Sequence, residues 1–99
     1  MEFVQVIEFT TTKYDEIRVL GDEFINNRRT GAGPKPISVL QLKDRDRPNT
    51  YRTVARFASH DDAMENSNRA DTTEMAERMA TLCDDQTFRN FDIINEIIP

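Results

Sequence analysis

The order in which the hydrophobic repeat changes along this chain limits its fold more than any other feature. Phe3-Val-Gln-Val-Ile-Glu-Phe9 alternates over β-branched and aromatic residues at the two-residue repeat of a strand. From Tyr14 the apolar positions Ile17, Leu20 and Phe24 recur at helical intervals of three and four. Ile37 to Lys43 and Tyr51 to Ala58 return to the strand repeat. Met75, Met79 and Leu82, with Ala76, Ala80 and Cys83 beside them, form a second helical stripe. Phe88 to Ile98 reads as a last strand, and the predicted order is β-α-β-β-α-β.

Boundary residues agree with that order. Thr12 with Asp15 is expected to cap the first helix, with Asp15 and Glu16 near its positive end and Arg28 and Arg29 near its negative end. Gly31 ends it, and Gly33-Pro34-Lys35-Pro36 forbids continuation. Asp44 to Asn49 is a polar turn joining two strands as a hairpin, and the alternating charges of Lys43 to Arg47 predict a solvated tip. Ser59 with Asp62 caps the next helix, Asn66-Ser-Asn-Arg69 interrupts it, and Asp71 with Glu74 predicts a second capping box.

This order predicts an α+β, ferredoxin-like fold: a four-stranded antiparallel sheet, both helices on one face, strands 1 and 3 central neighbours. Alternation then sorts the faces. Phe3, Gln5, Ile7 and Phe9, with Tyr51, Thr53, Ala55 and Phe57, belong against the helices. Val4, Val6 and Val54, with Glu2, Glu8, Arg52 and Arg56, form the opposite face, which Asp92, Ile94 and Glu96 are expected to continue. That face is either solvated or meets its own copy. Its valine centre, its matched charges and the isoleucines of Ile93 to Pro99 favour a homodimer, with Val4, Val6, Arg52, Val54, Ile94 and Ile97 in the interface.

Composition narrows function by exclusion. At 99 residues, 1–99 reads as one domain with a thin core that partner burial would help. A net charge of −5 argues against nucleic acid or an anionic membrane as partner. Lone Cys83 points to a reducing compartment, Met1 leads straight into a strand, and no apolar run is long enough to span a membrane; a cytoplasmic protein is expected. His60, the single histidine, beside Asp61 and Asp62, has no metal-ligand spacing and reads as an exposed first-turn residue. Cys83 reads as packing, and Asp84-Asp85 as solvent-facing. Gly31-Ala-Gly33 leads into prolines and a strand, not the helix a phosphate loop needs. No cofactor or metal is expected.

One polar set remains. Gln5 and Thr53 fall on the helix-facing side, flanked by Phe3, Tyr51 and Phe57, and the helix break at Asn66 could close over them. Gln5, Tyr51, Thr53, Phe57 and Asn66 therefore form a candidate pocket for a small apolar or aromatic ligand. The alternative is a filled core in which Gln5 is satisfied by a buried bond or water.

Met1-Glu-Phe-Val-Gln-Val-Ile-Glu-Phe9, Asp44-Arg-Asp-Arg-Pro48, Ala63-Met-Glu-Asn-Ser67 and Phe88-Arg-Asn-Phe-Asp92 resemble small actinobacterial members of the dimeric α/β-barrel superfamily. That superfamily includes antibiotic-biosynthesis monooxygenases and stress-responsive A/B-barrel proteins. The resemblance covers nearly the whole chain and implies two sheets closing into a dimeric barrel. Its cofactor-independent monooxygenases place an Asn and, four residues later, a Trp on the third strand; the matching positions here are Thr53 and Phe57. An aromatic early in the following helix falls on Ala63, and the iron-binding His of haem-degrading relatives has no counterpart in residues 61–84. These departures remove groups that would deprotonate a substrate or hold its anion, so binding is expected without oxygen-dependent turnover. Three readings stay open: a protein binding or acting on an aromatic or polyketide-like compound, a non-catalytic accessory protein, and a monooxygenase.

Overall fold

The computed structural model describes residues 1–31 and 33–99, with residues 28–30 placed only as part of a helix. The elements are β1 (Phe3–Thr10), α1 (Tyr14–Thr30), β2 (Ser38–Lys43), β3 (Thr50–Phe57), α2 (His60–Ser67), α3 (Ala70–Ala80) and β4 (Asp85–Asp92). The four strands form one antiparallel sheet in the order β2-β3-β1-β4. This is the expected ferredoxin-like sheet, with the second helical region divided where Asn68 caps α2 and Arg69 starts α3. The Arg28 and Arg29 side chains lie outside the described residues. Among those residues, no helix is long and apolar enough to cross a membrane.

Two caps differ from expectation. Thr11, not Thr12, organises the start of α1: its hydroxyl accepts from the Lys13 amide (2.9 Å) and donates to the Leu82 carbonyl (2.6 Å). It is fully buried, and its amide donates to the Asn49 carbonyl at 2.9 Å, so one residue ties α1 to two other connections. Asp71 does not cap α3; it lies in the first turn, where its carboxylate accepts from Arg69 Nε (3.2 Å) and the Thr72 amide (3.0 Å). Ser59 caps α2 as its sequence predicts, accepting from the Asp62 amide at 3.1 Å. Asn49 takes a left-handed φ of 57°, which Asn tolerates better than most residues, and brings the chain into β3.

β4 departs most from the sequence reading. It begins at Asp85 rather than Phe88 and ends at Asp92, so Ile93 to Ile98 lie outside the strand. The Asp84 amide donates to the Thr10 carbonyl (2.8 Å), setting Asp85 opposite Thr10 and Phe91 opposite Val4. Asp92 consequently pairs with Phe3 on the helix-facing side, and Arg89 and Phe91 occupy the outer face where Asp92 was expected. Beyond the strand, the Ile93 amide donates to the Glu2 carbonyl, and Glu96 turns toward Arg56 of β3.

Packing follows the predicted faces of β1 and β3. One apolar cluster joins Phe9, Ile17, Leu20 and Met79, with Ile7, Tyr51, Met75 and Cys83 against it. A second joins Phe3, Phe57 and Ala63, with Ala55 and Met64 beside it. Both lie between sheet and helices.

Candidate functional site

Between these clusters the helix-facing side of the sheet is polar. Gln5 separates Phe3 from Ile7 on β1, and Thr53 separates Tyr51 from Ala55 on β3. Register extends the pair to both edges: Gln41 of β2 lies opposite Thr53, and Asn90 of β4 lies opposite Gln5. Gln5 itself pairs with Ala55 and Thr53 with Ile7, so the four residues, one from each strand, form a diagonal band across the middle of the sheet. Gln5 and Thr53 are half-buried, Gln41 and Asn90 exposed.

Above the sheet, Asn66 sits one turn after Ala63 on the buried side of α2. It is 8% exposed, and its Oδ1 has no hydrogen-bond partner. Unpartnered buried oxygens are rare because desolvation costs about 1–3 kcal/mol with no bond in return. The helical layer is also incomplete: Phe88, opposite Ile7 on the same side of the sheet, is 54% exposed. Of the residues singled out from sequence, Gln5 and Thr53 lie in the band, and Asn66 lies on the buried side of α2. Phe57 is fully buried in the second cluster, and Tyr51 belongs to the first. Sequence reasoning missed Gln41 and Asn90, because their place in the band depends on register.

The opposite face carries Val4, Val6 and Val54 at its centre, with Leu40, Leu42 and Phe91 exposed around them. Glu2, Glu8, Arg52 and Arg56 on it are paired. Glu8 receives Arg47 Nη2 (2.7 Å) and Arg52 Nε (3.0 Å), and these bonds hold its carboxyl below the usual glutamate range. Arg56 bonds Glu2 and, at 3.0 Å, Glu96, whose carboxyl is lowered in turn. The hairpin tip is therefore not simply solvated: Arg47 folds back onto β1 while also holding Asp44 at 2.8 Å.

A cleft of about 620 Å³ opens where the start of α1 meets β2. Its walls include Tyr14 and Tyr51, whose rings stack with centroids 4.4 Å apart and 13° between planes. Tyr51 also stacks on buried Phe9, with centroids 5.7 Å apart. The Tyr14 hydroxyl donates to Gln41 Oε1.

Other reactive groups lie apart. His60 is exposed and meets the Phe3 ring edge-on, centroids 5.1 Å apart. Cys83 is half-buried in the Phe9 cluster, and burial pushes its thiol upward. Among the described residues, no group of three His, Cys, Asp or Glu side chains could hold a metal ion.

No protein-family model matches the sequence, and no curated protein matches it. Solved structures do share its fold. A variant of SnoaB, a cofactor-independent oxygenase from Streptomyces nogalater, superposes with a TM-score of 0.81 at 18% identity, covering 97% of this chain and 96% of that one. A protein from Caulobacter crescentus, provisionally described as an antibiotic biosynthesis monooxygenase, gives 0.79 at 10% identity over 95% and 91% of the two chains. Rv0793 from Mycobacterium tuberculosis gives 0.76 at 14% identity over 97% and 98%. The architecture is the one these three structures have.

Proposed function

We propose that this chain is a cytoplasmic homodimeric α/β-barrel protein that binds a small aromatic or polyketide-like compound between sheet and helices. The observation that carries the reading is the polar band through Gln5 and Thr53, set between two apolar clusters, together with the unpartnered Oδ1 of Asn66 on the buried side of α2. A largely apolar space with a few orienting polar groups suits a planar, oxygenated ligand. The fold is shared with a cofactor-independent oxygenase. Thr53 offers one hydroxyl, while Phe57 and Ala63 offer no hydrogen-bonding group, so binding rather than oxygen-dependent turnover is expected.

The test is a thermal-shift and titration series with anthrone-type compounds on the native chain and Gln5→Leu. Binding by the native chain, weakened in a folded Gln5→Leu variant, supports the reading. Lower stability in Gln5→Leu with no ligand response in either protein would favour a filled core. Oxygen consumption with an anthrone would overturn the expectation of binding alone.

The homodimer would pair through the outer face. Its apolar centre and flanking ion pairs can repeat across a twofold axis, with Val4, Val6, Arg52, Val54, Ile94 and Ile97 in contact.

A further inference from the structure

We propose that the cleft between α1 and β2 is a second small-molecule site, taking a planar aromatic anion stacked on Tyr14. This inference does not depend on the ligand reading for the polar band. Three rings form a row across the sheet, from buried Phe9 on β1 through Tyr51 on β3 to Tyr14 at the start of α1. The Tyr14 bond to Gln41 places the last ring on the β2 side, where the cleft opens. A row of stacked rings ending at a cavity offers the next planar group an aromatic face, and offset stacking is its preferred geometry.

Charge selects among planar ligands. Lys43 ends β2 directly opposite Tyr51, and Lys13 precedes α1; both line the cleft. Among the described residues, neither ammonium joins an ion pair. Asp15 and Glu16 also line it, but they occupy the first turn of α1, where they offset the helix's positive end. Lys43, which pairs with Tyr51 in the sheet, is the cation set beside the rings, and a carboxylate or phenolate on the ligand would meet its ammonium. The Tyr14–Gln41 bond fixes the ring's tilt before a ligand arrives.

The chain contains two tyrosines and no tryptophan, and both tyrosines line this cleft. Its tyrosine emission therefore reports on the proposed site. Titration with 2-naphthoate, with 2-naphthamide as the uncharged comparison, is expected to quench that emission saturably. Amide NMR shifts should centre on Tyr14 and Lys43. Lys43→Ala, at an exposed position, should weaken naphthoate roughly three- to fivefold, as loss of one exposed ion pair implies, and leave naphthamide unchanged. Tyr14→Phe keeps the ring and should retain most of the binding; a folded Tyr14→Ala should lose it. Quenching that does not saturate, equal binding after Lys43→Ala, or shifts centred on Gln5 and Asn90 would overturn the proposal. Only the last of these would leave the polar band as the site.

Discussion

At the scale of single residues, Asn66 is the most informative side chain, because its buried oxygen lacks a partner. Asn66→Leu removes that oxygen while keeping the branching and the number of heavy atoms. Unfolding free energy without ligand is expected to rise by about 1–3 kcal/mol, measured by urea denaturation, while affinity for an anthrone-type compound falls. Loss of stability would instead mean that Asn66 is satisfied in solution. Glu8 offers a test through titration. Its pKa is lowered first by the Arg47 bond and then by Arg52, so the stabilisation is fully present above the ordinary glutamate pKa. It disappears as pH falls through the depressed native value. Carboxyl-carbon NMR should show this low midpoint, and Arg47→Ala should move it back toward the ordinary one. Gln5 and Thr53 were legible as a polar pair because alternation alone puts them on the helix-facing side. The orphaned Asn66 oxygen was not, since hydrogen bonding depends on the neighbours a fold supplies.

Among elements, the β1–α1 corner shows how one buried threonine coordinates three connections, two through its hydroxyl and one through its amide. Thr11→Val keeps the shape but leaves the Leu82 carbonyl and Lys13 amide without their partner. Stability should fall by about 1–3 kcal/mol, and amide exchange should quicken at Lys13 and in the α3–β4 connection. The same corner explains why β1 and β3 were readable from sequence while β4 was not. β1 and β3 carry large apolar residues on one parity and valines with charges on the other, so their faces declare themselves. In Asp85–Asp92, Phe88 and Phe91 sit on opposite parities, and hydrophobicity gives no preference. The Asp84–Thr10 bond decides the matter, and with it the places of Asn90, Arg89 and Phe91. Similarly, Arg47 looked like a tip residue because nothing local shows that the hairpin folds back to Glu8 across 39 positions of sequence.

For the whole molecule, the outer face is the surface on which the proposed homodimer depends. Paired Val6→Glu and Val54→Glu substitutions would set carboxylates opposite one another at the centre of the expected interface. Sedimentation should show a native dimer and a folded variant monomer of 11.5 kDa; a native chain already monomeric at micromolar concentration would sink the dimer reading. The same face also bears on colloidal behaviour. Leu40 and Leu42 stand exposed on the edge strand β2, and Ile94, Ile97 and Ile98, in the tail after β4, are each at least 80% exposed. Wherever this surface is uncovered, long-range repulsion from a net charge of −5 opposes random edge-to-edge growth. That protection is pH-dependent and vanishes near the isoelectric point of 4.8. Light scattering should therefore find a solubility minimum there that deepens on dilution below the dimer's dissociation range, a concentration dependence opposite to that of ordinary precipitation.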